Sequence, residues 1–318
     1  MKLTFDQIKE ITFGALRIDA MEDGIHFHKC TTNQELAMAK LNAGLGERTL
    51  TTTGVRLDFH TNSKHLSFAT ASGKKFEVLI DGILRRQFDC DALREAGEPA
   101  TFDLLDSLGR EVESARVTLV FPSHTVGVLE WIELDDGATL TPHSFDTKIL
   151  FVGDSITQGW NSDYDSLSYA WRVTSFFNAE SVIQGVGGSY FHESTFDSID
   201  FDPDTVIVAL GTNDFNHYKT QEDARAHAAA HLACLAKEYA GKRLLAISPI
   251  WRAEQNKTMG SFAELRALLI EEIERAGFRH IDGLALVPPL SVLMKDFTLH
   301  PDDLGFSLMA ENLIAKMI

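Results

Sequence analysis

The apolar pattern of the chain changes character near residue 146, and this change constrains the fold more than any other feature of the sequence. Before it, apolar residues gather in short runs: Val55 to Phe59, Leu66 to Thr70, Lys75 to Ile80, Arg116 to Phe121 and Gly127 to Leu134. Turn-forming pairs at Ser72-Gly73, Asp81-Gly82 and Asp136-Gly137 punctuate them, as between strands. Val55, Leu57 and Phe59 alternate with other residues, the pattern of a strand with one face buried and one solvated. A jelly-roll-like β-sandwich is expected here. Helical patterns are sparse, with at most a short helical turn at Glu35 to Leu41 and another at Asp91 to Ala96.

After Phe145 the texture becomes strand then helix, repeated. The unbroken apolar runs Ile149 to Val152, Val206 to Leu210 and Leu244 to Ile247 suit parallel strands buried on both faces. Helical stretches are expected at Gln221 to Tyr239 and Ser261 to Ala276. In the second, Phe262, Leu265, Leu269 and Ile273 share one face, and Glu271, Glu272 and Glu274 populate the other. This half is expected to be an α/β/α domain with a mostly parallel, flavodoxin-like sheet. With 318 residues, more than one core usually serves, two domains follow: 1–145 and 146–318. The link from Thr141 to Thr147 is short and contains Pro142, so the two are expected to pack together.

Charge and cysteine usage narrow the function. A formal charge of −17 repels polyphosphate surfaces, which argues against nucleic-acid and anionic-membrane partners. Cys30, Cys90 and Cys234 are far apart and odd in number, which points away from a disulfide framework or zinc ribbon and towards a reducing compartment. No signal-peptide core opens the sequence and no apolar run has spanning length, so a cytoplasmic protein is expected.

The strand Lys148 to Val152 runs directly into Gly153-Asp154-Ser155-Ile156-Thr157, placing a serine hydroxyl at the C-terminal edge of a parallel sheet, where open α/β folds bind ligands. A phosphate loop would need a closing Lys-Ser or Lys-Thr pair, and an α/β-hydrolase elbow would need glycine where Thr157 stands. Taken alone, Ser155 reads equally well as a helix cap. Two further segments end strands: Gly185-Val186-Gly187-Gly188 and Gly211-Thr212-Asn213-Asp214. A glycine N–H and an asparagine amide beside a serine are what a developing oxyanion requires. Leu299-His300-Pro301, before the last helix, supplies a base.

In this order, serine, glycine, asparagine and histidine, residues 147–318 resemble the SGNH (GDSL-like) hydrolase superfamily. The resemblance implies Ser155 as nucleophile and His300 as general base. It also implies an oxyanion hole built from the backbone amides of Ser155 and Gly188 and the side chain of Asn213, with no metal or other cofactor. Two positions depart from the family pattern. Ile183 stands where an asparagine usually fixes the oxyanion loop. Phe297 stands where the orienting aspartate usually precedes the histidine by three, leaving Asp296 one residue further away as the acid. A β-sandwich ahead of such a domain resembles a group of bacterial carbohydrate esterases, some of which orient the histidine with a backbone carbonyl.

The remaining candidates carry competing readings. His26 and His28 share a strand face, and His227 and His231 are spaced i, i+4, but neither pair has a third ligand at metal spacing, so exposed strand histidines and a solvated helix face are expected instead. Trp160, Trp171 and Trp251 suit a core, although Trp251 and Arg252 follow a strand on the active-site edge and are candidates for substrate binding. Asp214 is expected to brace its loop. The expected activity is serine ester hydrolysis through an acyl-enzyme, preferably of O-acetylated carbohydrate, with a small-molecule or oligosaccharide ester as partner. A short-chain lipid or aryl esterase, an acetyl-transferring enzyme and a carbohydrate-binding protein without turnover are the alternatives.

Overall fold

The computed structural model describes residues 1–104 and 113–318. The N-terminal half holds two antiparallel sheets. The first runs in the order Thr12–Phe13, Arg56–Thr61, Ala115–Val120, Lys75–Ile80, Ile83–Asp89, with Thr141–Pro142 also beside Arg56–Thr61. The second runs Arg17–Met21, Gly24–His28, Val128–Leu134, His65–Ser72, Ala100–Asp103. Leu57, Phe59, Val78 and Leu119 from the first sheet meet Phe27, Leu66, Phe68 and Ile132 from the second in one core. Each such buried side chain contributes about 1.5–3 kcal/mol of transfer free energy.

The second face of the strand Arg56–Thr61 is not solvated as its alternation suggests. Arg56 and Asp58 are 1% and 0% exposed, because the C-terminal half covers them. Arg56 donates to the Ala179 carbonyl at 2.9 Å and lies over the rings of Phe145 and Trp171. Asp58 is paired with Arg116 at 2.7 Å. A polar strand face can be buried between two domains when its charges find partners there.

A helix over Ala43–Thr49 was not expected from the sequence. It follows the helix Thr32–Leu41, whose capping box joins Thr31 and Gln34, and Asn42 caps it in turn. The buried ammonium of Lys29 holds its C-terminal end, donating to the carbonyl of Arg48 in the last turn at 3.0 Å and to that of Thr51 just beyond it at 2.7 Å. Apolar periodicity is weak in so short a segment. Its buried Leu45 packs with Val186 and Tyr190 of the C-terminal half rather than into the sandwich core.

The C-terminal half is a five-stranded parallel sheet in the order Ala179–Gly185, Thr147–Gly153, Thr205–Ala209, Arg243–Ile247, Arg279–Ile281. Its strands are apolar on both faces because helices cover both. Ile149, Phe151 and Ile207 point to Phe306 and Met309 on the helix Asp303–Met317. Leu150, Val206 and Val208 point to Leu232 and Leu269 on the helices Gln221–Glu238 and Phe262–Arg275. One residue of the expected solvated stripe is misplaced: Glu272 is 1% exposed, paired with Arg225 of the neighbouring helix and with Arg275. The first strand lies between the second and third, so the chain leaves it and its neighbour on opposite sides and opens a crevice at their C-terminal ends. Among the described residues, no helix is long and apolar enough to cross a membrane.

Candidate active site

Ser155 opens a single helical turn, Ser155–Gln158, directly after the central strand. The Asp154 carboxylate accepts the Ile156 N–H at 2.9 Å, and Gly159 ends the turn in the left-handed region at φ 83°. The turn lies so close to the next strand that a Cβ on Gly185 would meet the Gln158 nitrogen at 2.4 Å, which explains the glycine there. Ser155 is thereby held at the sheet edge, its Oγ 2.9 Å from His300 Nε2.

His300 Nδ1 lies 2.6 Å from Asp296 Oδ2, so Ser155, His300 and Asp296 form one hydrogen-bonded chain. The extra residue between Asp296 and His300 is absorbed at Phe297, which adopts φ 60° and turns a 67% exposed ring outward. The other carboxylate oxygen, Oδ1, accepts the backbone N–H groups of Thr298, Leu299 and His300 at 2.9, 2.8 and 3.2 Å. Burial alone would raise the Asp296 pKa. The bonds from His300 and from the three backbone amides outweigh it and hold the carboxyl well below the usual carboxylate range.

Gly188 sits at φ 84°, a conformation that suits glycine. The Asn213 amide donates one hydrogen to the Ser189 carbonyl at 3.0 Å, which fixes the side chain and leaves its second hydrogen for a ligand. Ile183 does not supply the loop contact of an asparagine; it is buried against Gly54 of the sandwich half. Gln158 does so instead. Its Oε1 accepts the Gly187 N–H at 2.9 Å, and its Nε2 donates to the Ser123 carbonyl at 2.7 Å. Nothing in the sequence singles Gln158 out, since its partners Gly187, Ser123 and Thr51 come from three separate segments.

Asp214 is fully buried, and its Oδ2 accepts the Phe191 N–H at 3.3 Å. Burial pushes its pKa up to about 8. Arg252, offered above as substrate-facing, spends its donors inside the protein, on the Thr212 carbonyl at 2.7 Å, Asn216 at 3.0 Å and Glu254 at 3.1 Å. It steadies the Gly211 to Asp214 loop. Trp251 is half-buried against the core that also carries Leu299, Trp171 is buried, and Trp160 is exposed.

Beside Gly188 and Asn213 lies an open cavity of about 330 Å³, lined also by Leu45, Arg48, Tyr190 and His217 among others. Arg48 donates from Nη1 to the Gly187 carbonyl at 3.0 Å. It belongs to the unexpected helix of the N-terminal half, so no motif in the C-terminal half could have disclosed it.

The histidine pairs are accounted for by other contacts. His26 bonds Asp23 at 2.8 Å and His28 bonds Glu35 at 2.9 Å. His231 does not stand on a solvated face: it is 3% exposed and bonds the His192 carbonyl at 2.9 Å, because the loop carrying His192 covers this helix. His192, Glu193 and His227 bring donor atoms within 4.8 Å of one another. The two rings are stacked, 4.5 Å apart at 19°, His227 Nδ1 bonds Glu193 at 2.7 Å, and His192 Nδ1 accepts from Ser194. None of the three lines the cavity beside Gly188.

Residues 151–308 match the model of the GDSL-like lipase/acylhydrolase family. Several solved structures share the fold over nearly the whole chain. The salicylyl-acyltransferase SsfX3 from a tetracycline biosynthetic pathway is 18% identical at a TM-score of 0.78, covering 96% of this chain and 93% of that one. A putative GDSL-like lipase from Bacteroides ovatus is 16% identical at 0.72, covering 100% and 96%. A family two carbohydrate esterase from Clostridium thermocellum, in complex with cellohexaose, is 17% identical at 0.64, covering 96% and 98%. No curated protein matches by sequence. The serine block at the sheet edge and the match over residues 151–308 lead to one conclusion: the C-terminal half of the chain is a GDSL-like lipase/acylhydrolase domain, esterase or acyltransferase by type, in a two-domain fold that these solved structures share.

Proposed function

We propose that the protein is a serine ester hydrolase that works through an acyl-enzyme, with carbohydrate esters as its substrate class and acetylated sugars as the simplest of them. The observation that carries the reading is the unbroken chain from Ser155 Oγ through His300 to Asp296, at 2.9 and 2.6 Å. In this reading His300 Nε2 takes the serine proton as Oγ bonds to the ester carbonyl carbon. Charge on the carbonyl oxygen is met by the backbone amides of Ser155 and Gly188 and by the Asn213 amide. The same proton passes to the departing alkoxide as the ester C–O bond breaks. His300 then takes a proton from water as it attacks the acyl carbon, and gives that proton to Ser155 Oγ as the acyl C–Oγ bond breaks and the acid leaves. Asp296 accepts a hydrogen bond from Nδ1–H and stabilises the imidazolium. A sugar ester is favoured by the −17 charge, which disfavours anionic lipid surfaces, and by the fold shared with carbohydrate esterases. Three free cysteines suit a cytoplasmic setting.

The test is hydrolysis of acetylated sugars and of p-nitrophenyl esters of increasing chain length by the wild type and by Ser155→Ala. The variant is expected to fold normally, to lose turnover, and to escape labelling by a serine-directed reagent. Labelling at another residue, or turnover by a folded Ser155→Ala protein, rejects the reading.

A further inference from the structure

The cavity beside Gly188 and Asn213 lies on one side of the proposed reaction centre. It is lined by both of these residues, but no residue of the loop carrying Asp296 and His300 lines it. The leaving oxygen must stay within reach of His300 Nε2 to receive its proton, so the alcohol departs on the histidine side. The cavity on the other side of the oxyanion donors is left to the acyl group. At about 330 Å³ it offers far more room than the methyl of an acetyl ester needs.

Its polar lining is biased towards donors. Arg48 gives one nitrogen to the Gly187 carbonyl and makes no ion pair among the described residues. A Cβ on Gly188 would meet Arg48 Nη1 at 3.1 Å, so the guanidinium stands directly over the oxyanion glycine. The Asn216 side chain, also at the wall, has its carbonyl oxygen occupied by Arg252 and Lys257, which leaves its NH₂ as the free end. Tyr190 is 5% exposed and its hydroxyl is buried without a partner. A buried hydroxyl left unpaired costs about 1–3 kcal/mol, which a ligand accepting from it recovers. Among the described residues, no carboxylate lines the cavity. The buried ammonium of Lys29, held by the Thr51 and Thr53 hydroxyls and the Thr51 carbonyl, grips the Arg48 carbonyl and adds positive charge behind the wall.

From the excess of donors over acceptors we infer that this cavity is an acyl pocket for an acid carrying a second, terminal carboxylate, which Arg48 binds with help from Tyr190 and Asn216. The substrate class is the half-ester of a short dicarboxylic acid. The inference rests on the acyl-enzyme reading and extends its acyl group beyond acetyl; Ser155 attacks the ester carbonyl and the second carboxylate takes no part in bond making.

The experiment compares kcat/KM for p-nitrophenyl hemiglutarate and p-nitrophenyl pentanoate, which match in chain length and differ in terminal charge. The wild type is expected to prefer the hemiglutarate by about tenfold or more, the scale of one hydrogen bond to a charged group. Arg48→Gln should abolish that preference and Tyr190→Phe should reduce it. Reading the ratio removes any common loss caused by a disturbed Gly187 carbonyl. In parallel, glutarate should raise the thermal midpoint of the wild type but not of Arg48→Gln, and butyrate should raise neither. A ratio near one, or a glutarate shift that survives Arg48→Gln, overturns the inference. A preference for acetylated glucuronate over acetylated glucose that disappears in Arg48→Gln would place the anion on the alcohol and also overturn it. If no ester is turned over while glutarate still binds through Arg48, the acyl-enzyme reading falls and the carboxylate pocket stands.

Discussion

The Asp296 carboxylate reaches His300 Nδ1 at 2.6 Å across an extra residue, because Phe297 between them takes a left-handed backbone conformation at φ 60°. The same turn places three consecutive backbone N–H groups, of Thr298, Leu299 and His300, on the second carboxylate oxygen. Asp296 is thus fixed from both ends, which favours an acid-oriented histidine over one oriented by a backbone carbonyl.

Asp296→Asn should therefore leave the fold intact and cut kcat steeply, by up to about 10⁴, the loss known where a triad acid is amidated. The amide can still accept the backbone bonds through its oxygen, but it presents NH₂ to His300 and disfavours the Nδ1–H tautomer. Steady-state kcat for this variant is to be compared with His300→Ala. A loss of tenfold or less, beside near-complete loss in His300→Ala, would favour a Ser-His dyad.

Phe297→Gly separates the backbone role of this residue from its ring. An L-residue in the left-handed region costs about 1–2 kcal/mol, and glycine relieves this at an entropic cost of about 0.5–1 kcal/mol. The variant should keep kcat and have an equal or slightly higher thermal midpoint. Phe297→Val, which resists positive φ, should lower both. Lost activity at an unchanged midpoint in Phe297→Gly would instead give the exposed ring a place in substrate binding.

Much of this was legible in the sequence because it is local. Unbroken apolar runs mark strands buried on two faces, and Ser155, Gly188, Asn213 and His300 each follow or face a strand end in the same chain order as in the family. Asp296 was legible as an acid near His300, but the backbone turn that delivers it depends on Phe297, whose side chain carries no sign of positive φ. Other features depend on burial between the two halves. Arg56 and Asp58 read as a solvated face until Ala179, Phe145 and Trp171 cover them. Arg48 and Gln158 touch Gly187 from elements whose pairing is set by docking.

Chelation tests the cation-free reading. No proposed step passes through a metal ion, and of the group His192, Glu193 and His227, His227 Nδ1 is already bonded to Glu193 and His192 Nδ1 to Ser194. Dialysis against EDTA should leave kcat and the thermal midpoint unchanged. Loss of activity that zinc restores would assign that histidine group, or another, a metal.

The pH dependence of stability should change in a defined direction in Asp214→Asn. An aspartate in the unfolded chain titrates near 3.9, and burial raises Asp214 in the folded protein to about 8. Below the unfolded value both states are protonated and the stabilising contribution of the neutral group is fully present. Between about pH 4 and about pH 8 the folded state binds the proton and the unfolded state has released it, so rising pH removes that contribution, by at most about 1.4 kcal/mol per unit. Asparagine mimics the neutral acid and cannot lose a proton. Its oxygen can accept the Phe191 N–H, and its NH₂ replaces Oδ1, which has no partner in the wild type, so no new bond is made or broken. Asp154, raised by burial to about 7, contributes to both proteins and largely cancels in the difference. The midpoint of Asp214→Asn minus that of the wild type should therefore grow more positive from about pH 5 to about pH 8. The Asn213 contact to Ser189 does not involve the Asp214 side chain, so kcat at the acid end of this range should differ little between the two proteins. Midpoint curves that run parallel across the range would show that Asp214 is ionised in the folded protein and that its burial is offset by charge the structure does not display.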